Sequence, residues 1–238
     1  TGASFDGGEG NDTVAVSLIT VGNASKFTSF ETLGLDKGNG TSTDVTILGG
    51  ITGLSLLSAA SGATATYTSV TQSQGLTVGA TTAGGTTVLD FGSTVAATTD
   101  AYTVTFAATG ATTAAAAVGT SVNAGTLSIE GIEAVTIASG GSGYNNNKIV
   151  LKDANARTLT ITGNQKTGVT FAAQFGTDGS STSSAGVSLI DASALTGKFT
   201  LDTTNIKTAY AGVTVKGGTN DDSITITAQS SGLGRFTV

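Results

Sequence analysis

The chain contains no cysteine, histidine, proline, methionine or tryptophan. Without cysteine there are no disulfides, so packing, hydrogen bonds or a hard metal ion must hold the fold. Without histidine and cysteine, nitrogen- and sulfur-ligated zinc, thiol nucleophiles and serine–histidine triads are excluded. Average usage would place roughly a dozen prolines in a chain of this length, so their absence is a compositional style. Charge is thin as well: 11% of the 238 residues, with 16 acidic against 10 basic and a net charge of −6. No Lys/Arg run offers to neutralise phosphates, so nucleic acid is not an expected partner. No stretch approaches 18 consecutive apolar residues, so no membrane insertion is expected. Aromatics make up only 5%, which predicts a thin core of Val, Ile, Leu and Ala.

Threonine is the commonest residue, at 46 of 238. Its β-branched polar side chain suits the outer face of a sheet. Period-two alternation dominates, and one unit recurs: apolar, Thr, apolar, then Gly. It appears as VTILGG (45–50), LTVGA (76–80), VTIASGG (135–141), LTITGN (159–164) and VTVKGG (213–218). Each reads as a half-buried strand followed by a tight turn whose glycine can take positive φ. The predicted fold is therefore all-β and repetitive, a parallel β-solenoid or β-roll, with stacked β-sandwiches as the alternative. Three units are expected: 1–50, 51–138 and 139–238. Short helical turns are expected only at Leu54 to Ala60, Ala114 to Val118, and Asp191 to Leu195, where Asp191 could cap the following amides. SGGSGYNNN (139–147) and GTDGSSTSSAG (176–186) read as loops.

Acidic residues repeat too. FTSFETLGL (27–35) aligns with LSIEGIEAVTI (127–137) when Glu31 is placed on Glu133. This unit reads as a strand with one exposed Glu at its start, or as a lateral contact or ion ligand.

The most specific signal is GGEGNDTVA (7–15), which fits the nonapeptide G-G-x-G-x-D-x-U-x at every fixed position, U being apolar. GGTNDDSIT (217–225) fits with Asn220 replacing the third Gly, and SGYNNNKIV (142–150) is a decayed copy with Asn147 where the Asp belongs. Glycines let such a turn point carbonyl oxygens inward, the Asp adds full charge, and the apolar residue anchors the next strand. Dense hard oxygen donors suit Ca²⁺ better than Mg²⁺, which demands a tighter octahedron. The candidate ligands are Asp6, Gly7, Gly8, Glu9, Gly10, Asn11 and Asp12 in the first turn. In the second they are Gly217, Gly218, Thr219, Asn220, Asp221 and Asp222. Asp36, Asn39 and Asp44 could complete the first site.

These turns resemble the RTX-type calcium repeats, in which consecutive turns of a parallel β-roll clamp Ca²⁺ between them. RTX rolls use the unit in tandem, whereas here the two good copies stand near opposite ends of the sequence. With the Thr/Ala/Gly-rich style, the FETL-like strands and the LIDASALTGKFTL segment, the chain resembles Gram-negative S-layer proteins exported by type I secretion. That resemblance implies a structural, non-enzymatic protein of the bacterial cell surface that folds and forms a two-dimensional lattice on binding Ca²⁺. Implied partners are identical copies and, through regions outside this stretch, cell-surface lipopolysaccharide. Thr1 follows no visible leader, so the chain reads as a slice of something longer, with an export signal beyond Val238.

Two rivals remain: a long type I secreted RTX adhesin, and an RTX-bearing polysaccharide lyase or epimerase. The second needs converging carboxylates, for which Glu130 with Glu133, Asp221 with Asp222, and Asp100 beside Tyr102 are the candidates. By strand parity Glu130 and Glu133 fall on opposite faces. Asn11, Asn23 and Asn39 match the N-glycosylation pattern but read as turn residues.

Overall fold

The computed structural model describes residues 3–36, 40–58, 62–81, 84–92, 99–110, 121–143, 145–177, 185–209, 211–227 and 236–238. Expectations for Ala114 to Val118, for Asn39 and for most of the 176–186 loop fall outside these residues.

Alternation of one buried and one outward residue builds short strands that stack in rungs. The first are β1 (Phe5–Asp6) and β3 (Phe27–Thr28), paired as a separate two-stranded sheet. A ten-stranded sheet then takes every even strand. Its members are β2 (Thr13–Ala15), β4 (Thr32–Leu35), β6 (Gly53–Leu56), β8 (Leu76–Val78) and β10 (Ala101–Phe106), followed by β12 (Ala134–Ser139), β14 (Thr158–Gly163), β16 (Leu189–Leu195), β18 (Val213–Lys216) and β20 (Phe236–Thr237). An eight-stranded sheet takes the odd ones: β5 (Ser42–Asp44), β7 (Thr64–Thr68), β9 (Thr86–Leu89), β11 (Val122–Ser128), β13 (Asn146–Asp153), β15 (Lys166–Phe175), β17 (Phe199–Asp202) and β19 (Ser223–Thr225). Every ladder is parallel and joins a strand to the second one after it. The fold is thus a parallel two-sheet β-solenoid, and the stacked-sandwich alternative, built on antiparallel pairs, falls away.

The two sheets face each other across one core, mostly Val, Ile and Leu. Its largest buried side chains are Tyr67, Phe91, Tyr102, Phe106, Phe175 and Phe199, so the expected all-aliphatic core is corrected. In the even sheet, Val14, Leu33, Leu54, Leu76, Val104, Ile137 and Ile161 are in register, one per rung, and all are buried. Removing one such side chain, as in Leu33→Ala, costs on the order of 2–5 kcal/mol. Outward, Thr103, Thr136 and Thr160 form a matching polar column. The rungs are not of equal length. The step from Leu33 to Leu54 is slightly shorter than that from Ile137 to Ile161, and the step from Val104 to Ile137 is the longest of the three, because it runs through residues 111–120.

Two short-helix expectations are corrected. Leu54 to Leu56 lies in β6, where alternate burial of Leu54 and Leu56 overrides any helical preference. Asp191 to Leu195 lies in β16. The cap forms, but on an irregular strand: Asp191 Oδ1 accepts from Ser193 N at 3.0 Å and from Ser193 Oγ at 2.6 Å.

A candidate metal corner where the chain turns into the even sheet

The residue just before each even strand forms a column along one corner of the solenoid. Register places Asp12 beside Glu31, and Asp100 beside Glu133, on adjacent rungs. The alignment of Glu31 with Glu133 read from sequence therefore holds in space.

In the first turn, Gly8 and Gly10 take φ values of +88° and +126°, which only glycine adopts without strain. They fold the turn so that Gly7 lies against the next rung, where a Cβ would overlap the Ser29 carbonyl oxygen. Asp12 N donates to Glu31 Oε2 at 3.0 Å, and Asn11 Oδ1 accepts from Thr32 Oγ1 at 2.7 Å. Asp12 Oδ2 is buried and has no hydrogen-bond partner. The Ser29 hydroxyl, with the Gly8 amide, holds the exposed Asp6 below the usual carboxylate range. Glu9 is exposed.

The outer candidates are not drawn in. Asp36 accepts from Ser17 N and Oγ, and Asp44 from Thr46 N and Oγ1. Asn23 braces its own turn through Thr20 N and Leu18 O.

The second turn is wired differently. Asp222 Oδ1 accepts from Phe199 N at 2.9 Å and Oδ2 from Gly218 N at 2.6 Å. Thr219 N donates to Leu195 O at 3.1 Å and Asn220 Nδ2 to Thr196 O. Gly217 packs on the Asp222 carboxylate, and a Cβ on Gly218 would overlap Leu195 O. Asp221 is exposed. In the decayed copy, Asn147 is fully buried and donates to Ser139 Oγ and Gly140 O.

The fit to Ca²⁺ therefore differs between turns. Around Asp12 a bare buried carboxylate oxygen stands on the rung adjoining a second carboxylate, that of Glu31. Like charges on adjoining rungs repel, which a divalent cation between them would reverse. Asp12 and Glu31, with Asp6, Asn11 and carbonyls of Gly7, Gly8, Glu9 and Gly10, are all hard oxygen donors. Asp222, by contrast, already has both oxygens engaged by backbone amides. Among the described residues no three Asp or Glu side chains gather into a metal cage.

The acid pairs weighed for catalysis resolve otherwise than parity suggests. Glu130 and Glu133 lie in the turn between β11 and β12, not on a strand. Glu130 is engaged by Lys152 Nζ at 3.0 Å and Ala154 N at 2.7 Å. Glu133 is buried rather than exposed at its strand's start. Tyr102 is buried, donates to Gln74 O at 2.8 Å, and has its ionisation pushed up by burial.

One feature escapes the sequence. Lys148, Lys166 and Lys198 share a groove of about 440 Å³ on the outer face of the odd sheet, with Asn146, Val150 and Asp202. These lysines are scattered and unevenly spaced in sequence, and only stacking of β13, β15 and β17 gathers them. None makes an ion pair among the described residues. Charge is also segregated along the rod: residues 1–121 carry eight acidic and two basic residues, and 122–238 carry eight of each.

No protein-family model matches the chain, and no curated protein matches it.

Proposed function

We propose that the chain is a stiff, non-catalytic structural segment of an extracellular bacterial surface layer, exported by type I secretion, that takes up Ca²⁺ and packs against identical copies. The observation that carries this reading is the Asp12–Glu31 corner, two stacked carboxylates with Asp12 Oδ2 left bare inside a glycine turn. Where Ca²⁺ is scarce, the repelling carboxylates keep the first rungs open; where it is plentiful, the ion clamps rung to rung. Binding energy then becomes folding energy. Modules of this kind work with Kd on the order of 10⁻⁴ to 10⁻³ M.

The flat threonine columns and the lysine groove support lateral packing. The groove's occupant is the acid-rich first half of a second copy, a head-to-tail contact that repeats indefinitely and so builds arrays. Thermal melts in Ca²⁺ and in EGTA, with electron microscopy for ordered sheets, test the reading. The expected result is a melting temperature several degrees higher in Ca²⁺, and arrays lost in Lys166→Glu/Lys198→Glu. Identical melts in both buffers, or arrays indifferent to both Ca²⁺ and the groove, would refute it.

A further inference from the structure

We propose that the corner formed by Asp100 and Glu133 is a second site for a hard divalent cation of the Ca²⁺ class, at a place with no glycine-rich signature. The case begins with wiring. Asp100 N donates to Glu133 Oε2 at 2.9 Å, as Asp12 N does to Glu31 Oε2 at 3.0 Å. Glu133 N and Ala134 N both donate to Asp100 O, as Glu31 N and Thr32 N both donate to Asp12 O. In both corners the Asp precedes an even strand and the Glu precedes the next even strand. The two corners are one arrangement, used at two heights of the rod.

Burial makes the demand for a cation stronger at the second height. Asp100 and Glu133 are each 7% exposed, and Asp100 Oδ2 is buried with no partner. Gln72 Nε2 holds Asp100 Oδ1 at 2.7 Å, and Ala101 N returns a bond to Gln72 Oε1. The bare oxygen is therefore fixed in direction by the bond on its twin. Two buried carboxylates without a counter-charge are costly. Among the described residues neither carboxylate is in an ion pair; the neighbouring Arg157 donates its backbone N–H to the Glu133 carbonyl, and its Nε has no hydrogen-bond partner.

The donor set is all oxygen: Asp100 Oδ2 and the Glu133 carboxylate. Oxygen-only sites of irregular spacing select Ca²⁺ over softer or smaller ions. The inference does not require Asp12 to bind metal, because it rests on its own bare oxygen.

Calcium titration calorimetry on the full chain, with Tb³⁺ luminescence as a second readout, tests it. Among the chain's four tyrosines, Tyr102 stands next but one to Asp100, so Tb³⁺ at this corner is sensitised through it. Asp100→Asn and Glu133→Gln are each expected to remove one binding equivalent or weaken it at least tenfold, whereas Asp12→Asn leaves that equivalent in place. Tyr102→Phe, which touches no ligand, is expected to remove most of the sensitised emission while calorimetry still counts the ion. If Asp12→Asn abolishes all binding, or Glu133→Gln leaves stoichiometry and affinity unchanged, the second site is wrong. It is wrong also if Asp100→Asn stabilises equally in Ca²⁺ and EGTA, the mark of a shared proton in place of a metal. Loss of an equivalent in Asp100→Asn but not in Asp12→Asn would instead keep this site and remove the first.

Discussion

The glycine turns at 7–12 and 217–222 share a signature and put their aspartates to opposite uses. Asp222 stands above an earlier rung, whose Phe199 amide reaches up to it, and folds back on Gly218 N. Asp12 stands on the first described rung, so only later residues reach it, and its Oδ2 stays bare. A motif specifies the turn, whereas the stacking around it specifies whether the carboxylate is a brace or is left with a bare oxygen.

The largest effects probe what the turns have in common. Gly7→Ala and Gly218→Ala push a methyl into the Ser29 and Leu195 carbonyl oxygens, and backbone cannot step aside cheaply. Each should cost about 2–4 kcal/mol in urea unfolding, with or without metal. The next prediction separates the turns. In chelator, Asp222→Ala orphans two amides and should cost about 2 kcal/mol, whereas Asp12→Ala should cost well under half of that yet remove the stabilisation by Ca²⁺. Equal losses in EGTA would erase the distinction.

Asp153 is a third case that sharpens it. Its Oδ1 accepts from Gly131 N and Asn155 N, as a brace does, while its buried Oδ2 has no partner, as in Asp12. Burial, with Glu130 and Glu133 adding to it, pushes its pKa up to about 8. The folded state therefore holds a proton that the unfolded state releases near the ordinary carboxylate value of about 4. The protonated brace contributes fully below pH about 4, and that contribution drains away as pH rises through about 8. Asp153→Asn should flatten this fall, so its melting temperature should exceed the wild type's above pH 8. An unchanged pH slope would mean that the carboxyl is already ionised.

The smallest effect belongs to the outer face. Lys216 Nζ sits 2.8 Å from Asp191 Oδ2 and, with Ser193, lowers the Asp191 pKa to about 2. This pair contributes above pH about 4, and the contribution is lost as pH falls toward 2. Lys216 is half exposed, so Lys216→Ala should cost only about 0.5 kcal/mol, with the Asp191 titration moving upward by NMR.

Much of this fold is legible in the residues. Apolar–Thr–apolar units ending in glycine sit in β8, β12, β14 and β18 because period two is enough to decide which face is buried. VTILGG behaves otherwise, since Val45 to Ile47 tightens into a 3₁₀ turn capped by Asp44. Glu31 and Glu133 are visible as a repeat, but not the burial of Glu133 or the half-burial of Glu31, because the rungs that cover them come from distant residues. The lysine groove is invisible for a related reason: the steps between equivalent positions on successive rungs are unequal, which leaves no fixed period by which to align Lys148, Lys166 and Lys198.

The rule that every strand pairs only with the second one along has a consequence for how the polymer acquires its shape. No residue need wait for a distant part of the chain to arrive, because each new layer finds its template in the layer just completed. The rod can therefore solidify progressively, like thread setting as it leaves a spinneret, and its length can grow or shrink by whole layers without redesign of the rest.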